Sequence, residues 1–186
     1  MIGYAMCGSF CTLGIALDAM KKLVASGLEI QPIMSENAYF TNTRFFEAEQ
    51  LRRQVEAVTG KNIISNVVDA EPLGPKLPLE ALIIAPCTGN TLAKMANGIT
   101  DTAVTMAAKA HLRSDRPLLI ALASNDALSQ NLASIGAMLN RKSVYFVPLH
   151  QDDPIRKPHS LVADFELIQE ALEAMLRGRQ LRPMFV

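Results

Sequence analysis

The sequence of 186 residues contains no tryptophan, few other aromatic residues (5% in total) and no excess of either charge. Eighteen Lys and Arg side chains balance eighteen Asp and Glu side chains, so the formal net charge is zero. Binding to nucleic acids or membrane surfaces depends on a basic excess, and binding to single strands depends on stacking aromatics. We therefore expect no nucleic-acid partner and no membrane association.

Cysteine is also scarce, because the chain has only Cys7, Cys11 and Cys87 and lacks a CxxC pair. An odd number of cysteines leaves any disulfide framework incomplete and suits a reducing, cytoplasmic compartment. The three histidines do not stand at ligand spacings from one another or from the cysteines, whereas a closed metal site needs several converging ligands. We therefore expect no metal site.

Charged side chains are absent from residues 1–17, and Asp18 is the first. A secretory signal begins with basic residues, and a membrane span needs about 20 consecutive apolar residues. No Lys or Arg precedes this run, and Gly3, Gly8 and Gly14 interrupt it. The segment therefore predicts a buried strand, a turn and the beginning of a helix rather than a targeting or membrane segment.

Apolar runs alternate with helical patterns along the whole chain. Such a pattern predicts a parallel sheet that is covered by helices on both faces. We expect one α/β domain over residues 1–186, with a doubly wound, three-layer parallel sheet of about six strands. The predicted strands cover residues 1–7, 29–34, 62–68, 81–85, 117–123 and 143–147. The predicted helices cover residues 12–27, 46–58, 91–97, 101–112, 126–140 and 161–176, and the predicted loops cover 35–46, 71–78 and 151–160.

Ligands bind outside the carboxyl ends of the strands in such sheets, so the loops that follow the strands are the candidate sites. The first loop contains Gly8, Ser9 and Phe10 and leads into a helix through Thr12. Backbone N–H groups at this helix start favour an anion such as a phosphate, although Ser9 or Thr12 as an ordinary N-cap explains the pattern equally well. There is no GxGxxG motif and no acidic residue ends the second strand, so a mononucleotide fits better than a dinucleotide.

Ser35 directly follows the second predicted strand and offers a hydroxyl to the same phosphate. Helix capping is the more common role of such a serine. The most specific local pattern is residues 85–91, Ala-Pro-Cys-Thr-Gly-Asn-Thr, in which a strand ends at Pro86 and a small polar turn opens a helix. Glycine allows close backbone approach, and amide and hydroxyl side chains bind the edge of a heterocycle. The candidate binding residues here are Pro86, Thr88, Gly89, Asn90 and Thr91.

Residues 85–91 resemble the Pro-Ala-Ser-Ala-Asn-Thr signature of the FMN-binding flavoproteins that are related to the cysteine decarboxylases. The Gly8-Ser9 turn, Ser35 and residues 98–101 fit the same pattern. Rarer segments extend the resemblance over nearly the whole chain and place it among the dipicolinate synthase B subunits. These segments are residues 42–45 (Asn-Thr-Arg-Phe), 70–76 (Ala-Glu-Pro-Leu-Gly-Pro-Lys), 124–128 (Ser-Asn-Asp-Ala-Leu), 151–154 (Gln-Asp-Asp-Pro) and 157–158 (Lys-Pro).

The resemblance implies a flavodoxin-like fold, a homo-oligomer and FMN as cofactor. It also implies a cytoplasmic role in the mother cell of a spore-forming bacterium, where a dihydrodipicolinate-type precursor is oxidised to dipicolinate. The acceptor in the family is NAD(P), reached through a separate dipicolinate synthase A subunit. Two departures argue against cysteine decarboxylation. Residues 71–80 lack the decarboxylase histidine, and residues 122–125 keep only Asn125 of the Pro-Ala-Met-Asn segment that binds the decarboxylase substrate.

Arg44 and Asn125 are the predicted catalytic residues. A guanidinium binds a carboxylate through two parallel hydrogen bonds, so Arg44 is the expected anchor for a small dicarboxylate substrate, with an ordinary surface arginine as the alternative. Asn125 is expected to orient the substrate, with a helix N-cap beside Asp126 as the alternative. No residue stands out as the base, although His150 and His159 flank the last loop. The competing hypotheses are a decarboxylase-like enzyme that acts alone and a non-catalytic subunit that organises its partner.

Overall fold

The computed structural model describes residues 1–74 and 76–186, and Pro75 of the predicted 71–78 loop lies outside the described residues. Seven strands form one sheet. The strands are β1 (Ile2–Met6), β2 (Ile30–Met34), β3 (Ala81–Thr88), β4 (Leu118–Ser124), β5 (Val144–Phe146), β6 (Leu149–His150) and β7 (Leu161–Ala163). The helices are α1 (Leu13–Ala25), α2 (Glu36–Phe40), α3 (Ala48–Thr59), α4 (Val67–Ala70), α5 (Gly89–Ala96), α6 (Ala103–Leu112), α7 (Leu132–Leu139) and α8 (Ile168–Leu176).

The parallel part of the sheet follows the order β2-β1-β3-β4-β5. In this register Ile2 of β1 pairs with Ile30 of β2 on one side and with Ala81 of β3 on the other. The predicted α/β fold with helices on both faces of a mostly parallel sheet is confirmed. Because the five strands are parallel, their carboxyl ends meet at one edge of the sheet, where ligands bind in folds of this kind.

The core lies on both faces of the central strands. Every residue of β1 and β4 is buried, as is every residue of β3 except the half-buried Thr88. On the helical layers, α1 packs against α3 and α8, and α6 packs against α4 and α5. Strands that are apolar on both faces need such cover, because water contact with either face would cost about 25 cal/mol per Å² of apolar surface.

Two short antiparallel strands extend the sheet beyond the prediction. In β7, Leu161 pairs with Ser124 and Val162 pairs with Ala123, and β6 pairs with β7 on its other side. The prediction that residues 161–163 form the first turn of the last helix is wrong. All three side chains are apolar and fit a strand as well as a helix, and pairing with the free carboxyl half of β4 decides between the two.

The predicted strand over residues 62–68 is also wrong. Only Ile64 pairs with β2, through hydrogen bonds from its N–H to the Pro32 carbonyl (3.1 Å) and from the Met34 N–H to its carbonyl (2.9 Å). The side chain of Asn66 then accepts a hydrogen bond from the Asp69 N–H at 2.9 Å and caps α4. An N-cap ends the extended conformation, so the apolar residues after it enter a helix.

Three further boundaries differ from the sequence-based expectation. Residues 35–46 are not all loop, because Ser35 caps the short helix α2. The predicted helix 126–140 begins only at Leu132, after a series of turns. Strand β3 does not stop at Pro86 but continues to Thr88, with a register shift between Ile84 and Cys87. A proline is tolerated there because a bulge does not need its missing N–H. Among the described residues, no helix is long and apolar enough to cross a bilayer.

Candidate functional site at the carboxyl edge of the sheet

A cleft of about 730 Å³ opens at the carboxyl ends of the parallel strands. The turns after β1, β3 and β4 form its floor, and residues of the 151–160 loop form one wall. A second cleft of about 460 Å³ adjoins it and extends towards α2 and the beginning of α6. Gly8, Thr88 and Asn90 line both clefts, so one extended ligand can occupy both.

The β1–α1 turn brings Gly8 and Ser9 to the first cleft. The hydroxyl of Thr12 lies 2.9 Å from the Ser9 carbonyl and 2.9 Å from the Ser9 hydroxyl, which fixes the turn before α1 begins. Ser9 makes no side-chain cap of the helix start. Phe10 lines neither cleft, and its ring packs beside Gly8, where an added Cβ would come within 3.4 Å of it. The turn therefore brings backbone and hydroxyl groups to the cleft, while Phe10 packs against the core.

The β3–α5 turn is held by Thr88, whose hydroxyl accepts a hydrogen bond from the Thr91 N–H at 3.2 Å and caps α5. The two hydroxyls of Thr88 and Thr91 lie 3.0 Å apart. Asn90 is exposed at the boundary of the two clefts. Pro86 lies in the buried strand below, where its carbonyl accepts the Cys7 N–H at 3.0 Å. Thr88, Gly89, Asn90 and Thr91 therefore reach the clefts, and Pro86 positions them.

Ser35 lines the second cleft, and its hydroxyl also accepts the Ala38 N–H at 3.4 Å. The capping role and the cleft position thus coincide in one residue. The wall opposite carries an ion pair between Lys94 and Asp101, with Nζ–O distances of 2.9 and 2.8 Å. The ammonium of Lys94 lowers the pKa of Asp101. Because Lys94 is paired, it does not offer a free positive charge to a ligand.

Asp126 is the most constrained charged group of the first cleft, and it was not among the residues predicted from the sequence. Its carboxylate accepts hydrogen bonds from the Ser124 hydroxyl at 2.5 Å and from the Asn131 amide at 2.9 Å. These bonds, the one from Ser124 foremost, lower the pKa of Asp126. The cluster of Ser124, Asp126 and Asn131 packs against Gly89, where an added Cβ would lie 2.5 Å from the Ser124 hydroxyl oxygen. The cluster alone therefore requires glycine at this position, and a close approach of a ligand to Gly89, which also lines the first cleft, stays a prediction.

Asn125 is exposed and lines the first cleft next to this cluster. The alternative role as a helix N-cap is wrong, because α7 begins after Asn131. Lys157 also lines this cleft and pairs with Asp152 at 2.5 Å. The pKa of Lys157 is raised and that of Asp152 lowered, both chiefly by their mutual hydrogen bond.

Arg44 lines neither cleft. It is exposed, and its guanidinium lies over the ring of Phe45 at 4.8 Å from the ring centre. The structure therefore does not bring Arg44 together with Asn125. His159 is exposed and His150 half-buried, and both are outside the described lining of the two clefts.

Two of the cysteines are buried at the ends of β1 and β3. Burial raises the pKa of Cys7 to about 11 and also raises the pKa of Cys87 well above its usual value. Thiols with such pKa values are poor nucleophiles at neutral pH. Cys11 is exposed and lines the first cleft.

The donor set of the clefts fits a flavin mononucleotide. The first N–H groups of a helix have no partner inside the helix, and two helix starts lie at this edge. They are the 3-10 turn Phe10–Thr12, which leads directly into α1, and the beginning of α5. The hydroxyls of Ser9, Ser35 and Thr88 stand beside them. A phosphate is stabilised by such N–H groups and by the helix dipoles without a paired cation. The volume of the first cleft is in the usual range for a cofactor site.

Comparison with known proteins places the chain among the flavoproteins, which is the class of protein that the donor groups of the two clefts suggest. A family model described as Flavoprotein matches residues 1–166, and the chain belongs to this family. The chain is 42% identical over 185 residues to the B subunit of dipicolinate synthase from Bacillus subtilis (strain 168), covering 100% of the chain and 92% of that protein.

Solved structures agree with this placement. The B subunit of dipicolinate synthase from Bacillus halodurans C superimposes with a TM-score of 0.91 at 39% identity, covering 100% of this chain and 95% of the other. The FMN-dependent cysteine decarboxylase SpaF superimposes with a TM-score of 0.70 at 24% identity over 95% of each chain, which shows a shared fold. The resemblance inferred from short motifs is therefore confirmed over the full length.

Proposed function

We propose that the chain is the flavin-binding B subunit of a dipicolinate synthase and takes part in the oxidation of dihydrodipicolinate to dipicolinate. The observation that carries this proposal is the full-length 42% identity to the B subunit of the Bacillus subtilis synthase. The intact cleft of about 730 Å³ at the expected edge of the sheet supports it. In this role the chain works in the cytoplasm of the mother cell of a spore-forming bacterium, as a homo-oligomer.

The reaction removes a hydride and a proton from the ring of the substrate. A bound flavin supplies a two-electron acceptor for such a hydride, with NAD(P) as the final acceptor through the A subunit. Ser9, Ser35 and the amides around Gly8 and Gly89 bind the phosphate and the polar chain of FMN. Thr88 and Asn90 stand where both clefts meet and orient the ring.

Asn125 and Asp126 act on the substrate side of the first cleft. Asn125 offers both a donor and an acceptor to a carboxylate or a ring nitrogen. Asp126 holds a fixed negative charge, because the Ser124 hydroxyl and the Asn131 amide favour its ionised form. It is a weak base for the same reason, and its role is to accept hydrogen bonds and to keep a carboxylate away from its side of the cleft.

The charges of the clefts indicate that a partner completes the site. In the described lining, the first cleft holds the carboxylates of Asp126 and Asp152 against the single ammonium of Lys157, and the second holds Glu36 and Asp101 against Lys94. A dicarboxylate substrate needs cations that these pairs do not leave free. We infer that the A subunit or a second copy of the chain supplies them. Arg44, exposed and outside this lining, is the proposed anchor at such a junction.

The test is reconstitution of the oxidation from separately purified subunits. We expect no dipicolinate from either subunit alone and steady formation from the mixture, followed by its ultraviolet absorbance. The A subunit alone matching the mixture would make this chain a non-catalytic organiser, and release of CO₂ from a cysteine substrate would make it a decarboxylase.

The contribution of Arg44 is tested in the same assay. Arg44→Gln is expected to raise KM for the substrate about tenfold or more, because a charge-assisted bidentate pair is lost. Arg53→Gln, on an exposed arginine paired with Glu49 in α3, is the matched control and should leave KM unchanged. Equal kinetics of Arg44→Gln and the control would remove Arg44 from the site.

A further inference from the structure

A third cavity lies beside the second cleft, at the carboxyl end of α5. It has a volume of about 230 Å³ and is formed by the last turn of α5, residues 98–100, one side of α6 and Arg141. The cavity shares no described lining residue with either cleft, although Met95 and Thr100 in its lining directly follow Lys94 and directly precede Asp101 of the second cleft. It is therefore lined separately from the flavin site.

The floor of the cavity is apolar. Met95 and Ala108 are buried in it, Leu112 is half-buried, and Ile99 is exposed at its edge with 48% of its surface accessible. An apolar cavity of about 150 Å³ accommodates a benzene ring, so a cavity of this size takes a six-membered ring with carboxylate substituents.

The rim of the cavity carries charge of one sign. Lys109, Arg113 and Arg141 all line it and are exposed, and the described lining contains no Asp or Glu. None of the three takes part in an ion pair among the described residues. In a chain with equal numbers of acidic and basic residues, three unpaired cations around one apolar cavity form a local positive potential.

Helix dipoles explain only part of this arrangement. Lys109 lies in the last turn of α6, Arg113 is its C-cap residue, and Arg141 follows the end of α7. Cations at such positions are favourable without any ligand. The dipoles do not account for the cavity that these cations surround or for the exposed Ile99. An apolar floor below a cationic rim is the arrangement that binds an amphipathic anion, with the ring below and the carboxylates above.

We propose that this cavity is a second ligand site, which binds a planar aromatic carboxylate through Arg113 and Arg141 at the rim and Met95 at the floor. The product of the proposed reaction is an aromatic dicarboxylate of this class. To that extent the choice of ligand rests on the proposed function, whereas the site itself rests on the cavity and its charges.

The experiment follows the Met95 methyl signal by NMR in protein labelled with [¹³C-methyl]methionine, assigned with Met95→Leu. The probes are pyridine-2,6-dicarboxylate and benzene-1,3-dicarboxylate, which share the spacing of the carboxylates, at constant ionic strength and without flavin or A subunit. Both probes are expected to shift the Met95 signal in a saturable way.

The double variant Arg113→Gln/Arg141→Gln is expected to weaken binding about tenfold or more, because two charge-assisted contacts are lost. The matched control is Arg177→Gln/Arg179→Gln, which removes the same charge from exposed arginines at the end of α8. An unshifted Met95 signal at millimolar probe, or equal affinities of the two double variants, would overturn the proposal.

The proposed function can fail independently. An absence of flavin binding or of reconstituted oxidation leaves the Met95 result unchanged. If only pyridine-2,6-dicarboxylate binds, the ring nitrogen is part of the recognition and the site is specific for the product. If a larger assembly of the chain buries the cavity, the Met95 signal shifts with protein concentration rather than with the probe, which also overturns the proposal.

Discussion

Gly89 is the position at which the structure makes its sharpest quantitative prediction. A Cβ added there would lie 2.5 Å from the Ser124 hydroxyl oxygen, 2.7 Å from the Asn131 amide nitrogen and 3.0 Å from a carboxylate oxygen of Asp126. The Ser124 hydroxyl can move only by giving up its 2.5 Å hydrogen bond to Asp126. A lost hydrogen bond to a charged group costs about 1.5–3 kcal/mol. Alanine in place of a helical glycine returns about 0.5–1 kcal/mol of backbone entropy.

We therefore expect Gly89→Ala to lower the free energy of unfolding by about 1–2 kcal/mol, measured by urea denaturation. Gly136→Ala is the matched control, because Gly136 lies in α7 with nothing within 4 Å of the added Cβ. The control should be neutral or stabilising. In the double variant Gly89→Ala/Ser124→Ala the clash with the hydroxyl is absent. Its loss in free energy of unfolding should therefore be smaller than the sum of the losses in the two single variants. Equal stability of the two alanine variants would refute the reasoning.

Three other predictions concern groups outside this cluster. His111 is buried, its Nε2 lies 2.9 Å from the Pro117 carbonyl oxygen, and burial lowers its pKa below 6.5. Because the unfolded state then binds more protons, the free energy of unfolding should fall as the pH decreases below about 6.5. In His111→Gln this fall should be smaller. A thiol reagent at neutral pH should modify Cys11 alone in the native protein and all three cysteines after denaturation; rapid modification of Cys7 or Cys87 would contradict their burial. Thr88→Val should cost about 1 kcal/mol of stability through the lost cap of α5, and an unchanged urea midpoint would show that the cap is dispensable.

The central strands could be predicted from the sequence because each is continuously apolar and bounded by turn residues. Residues 81–85 and 117–123 are examples: the first are buried in β3, and residues 118–123 are buried in β4. Residues 62–68 were predicted wrongly from a similar apolar run, and residues 161–163 from the amphipathic helical pattern of residues 161–176. Short apolar runs fit a strand or a helix, and the choice is made by the Asn66 cap in one case and by pairing with β4 in the other.

The candidate site was predictable where it consists of turns. The first loop, Ser35 and residues 88–91 reach the clefts because every parallel strand ends at the same edge. The Asp126 cluster could not be predicted in this way, because it depends on hydrogen bonds between side chains on both sides of a turn that was expected to be helical. A local signal exists in the order Ser124-Asn125-Asp126, since polar residues directly after a buried strand are candidates for a site.

The position of Arg44 relative to the clefts could not be predicted from its sequence motif. Its place in the motif Asn42-Thr43-Arg44-Phe45 comes from the resemblance, whereas the structure shows its guanidinium over Phe45 and outside both clefts. The proposed role of Arg44 at a junction with a partner cannot be located from one chain, because the surface that it would contact belongs to another molecule.

The most direct test of the central claim is a titration of the purified chain with FMN, followed by flavin fluorescence and the visible spectrum. We expect saturable quenching with a shifted spectrum. Asn90→Ala removes the amide at the boundary of the two clefts and should bind FMN about tenfold or more weakly than the unmodified chain. Asn97→Ala, at the far end of α5, is the control that should bind FMN as the unmodified chain does. Absence of binding both by the chain and by its complex with the A subunit would contradict a flavin site at this edge of the sheet.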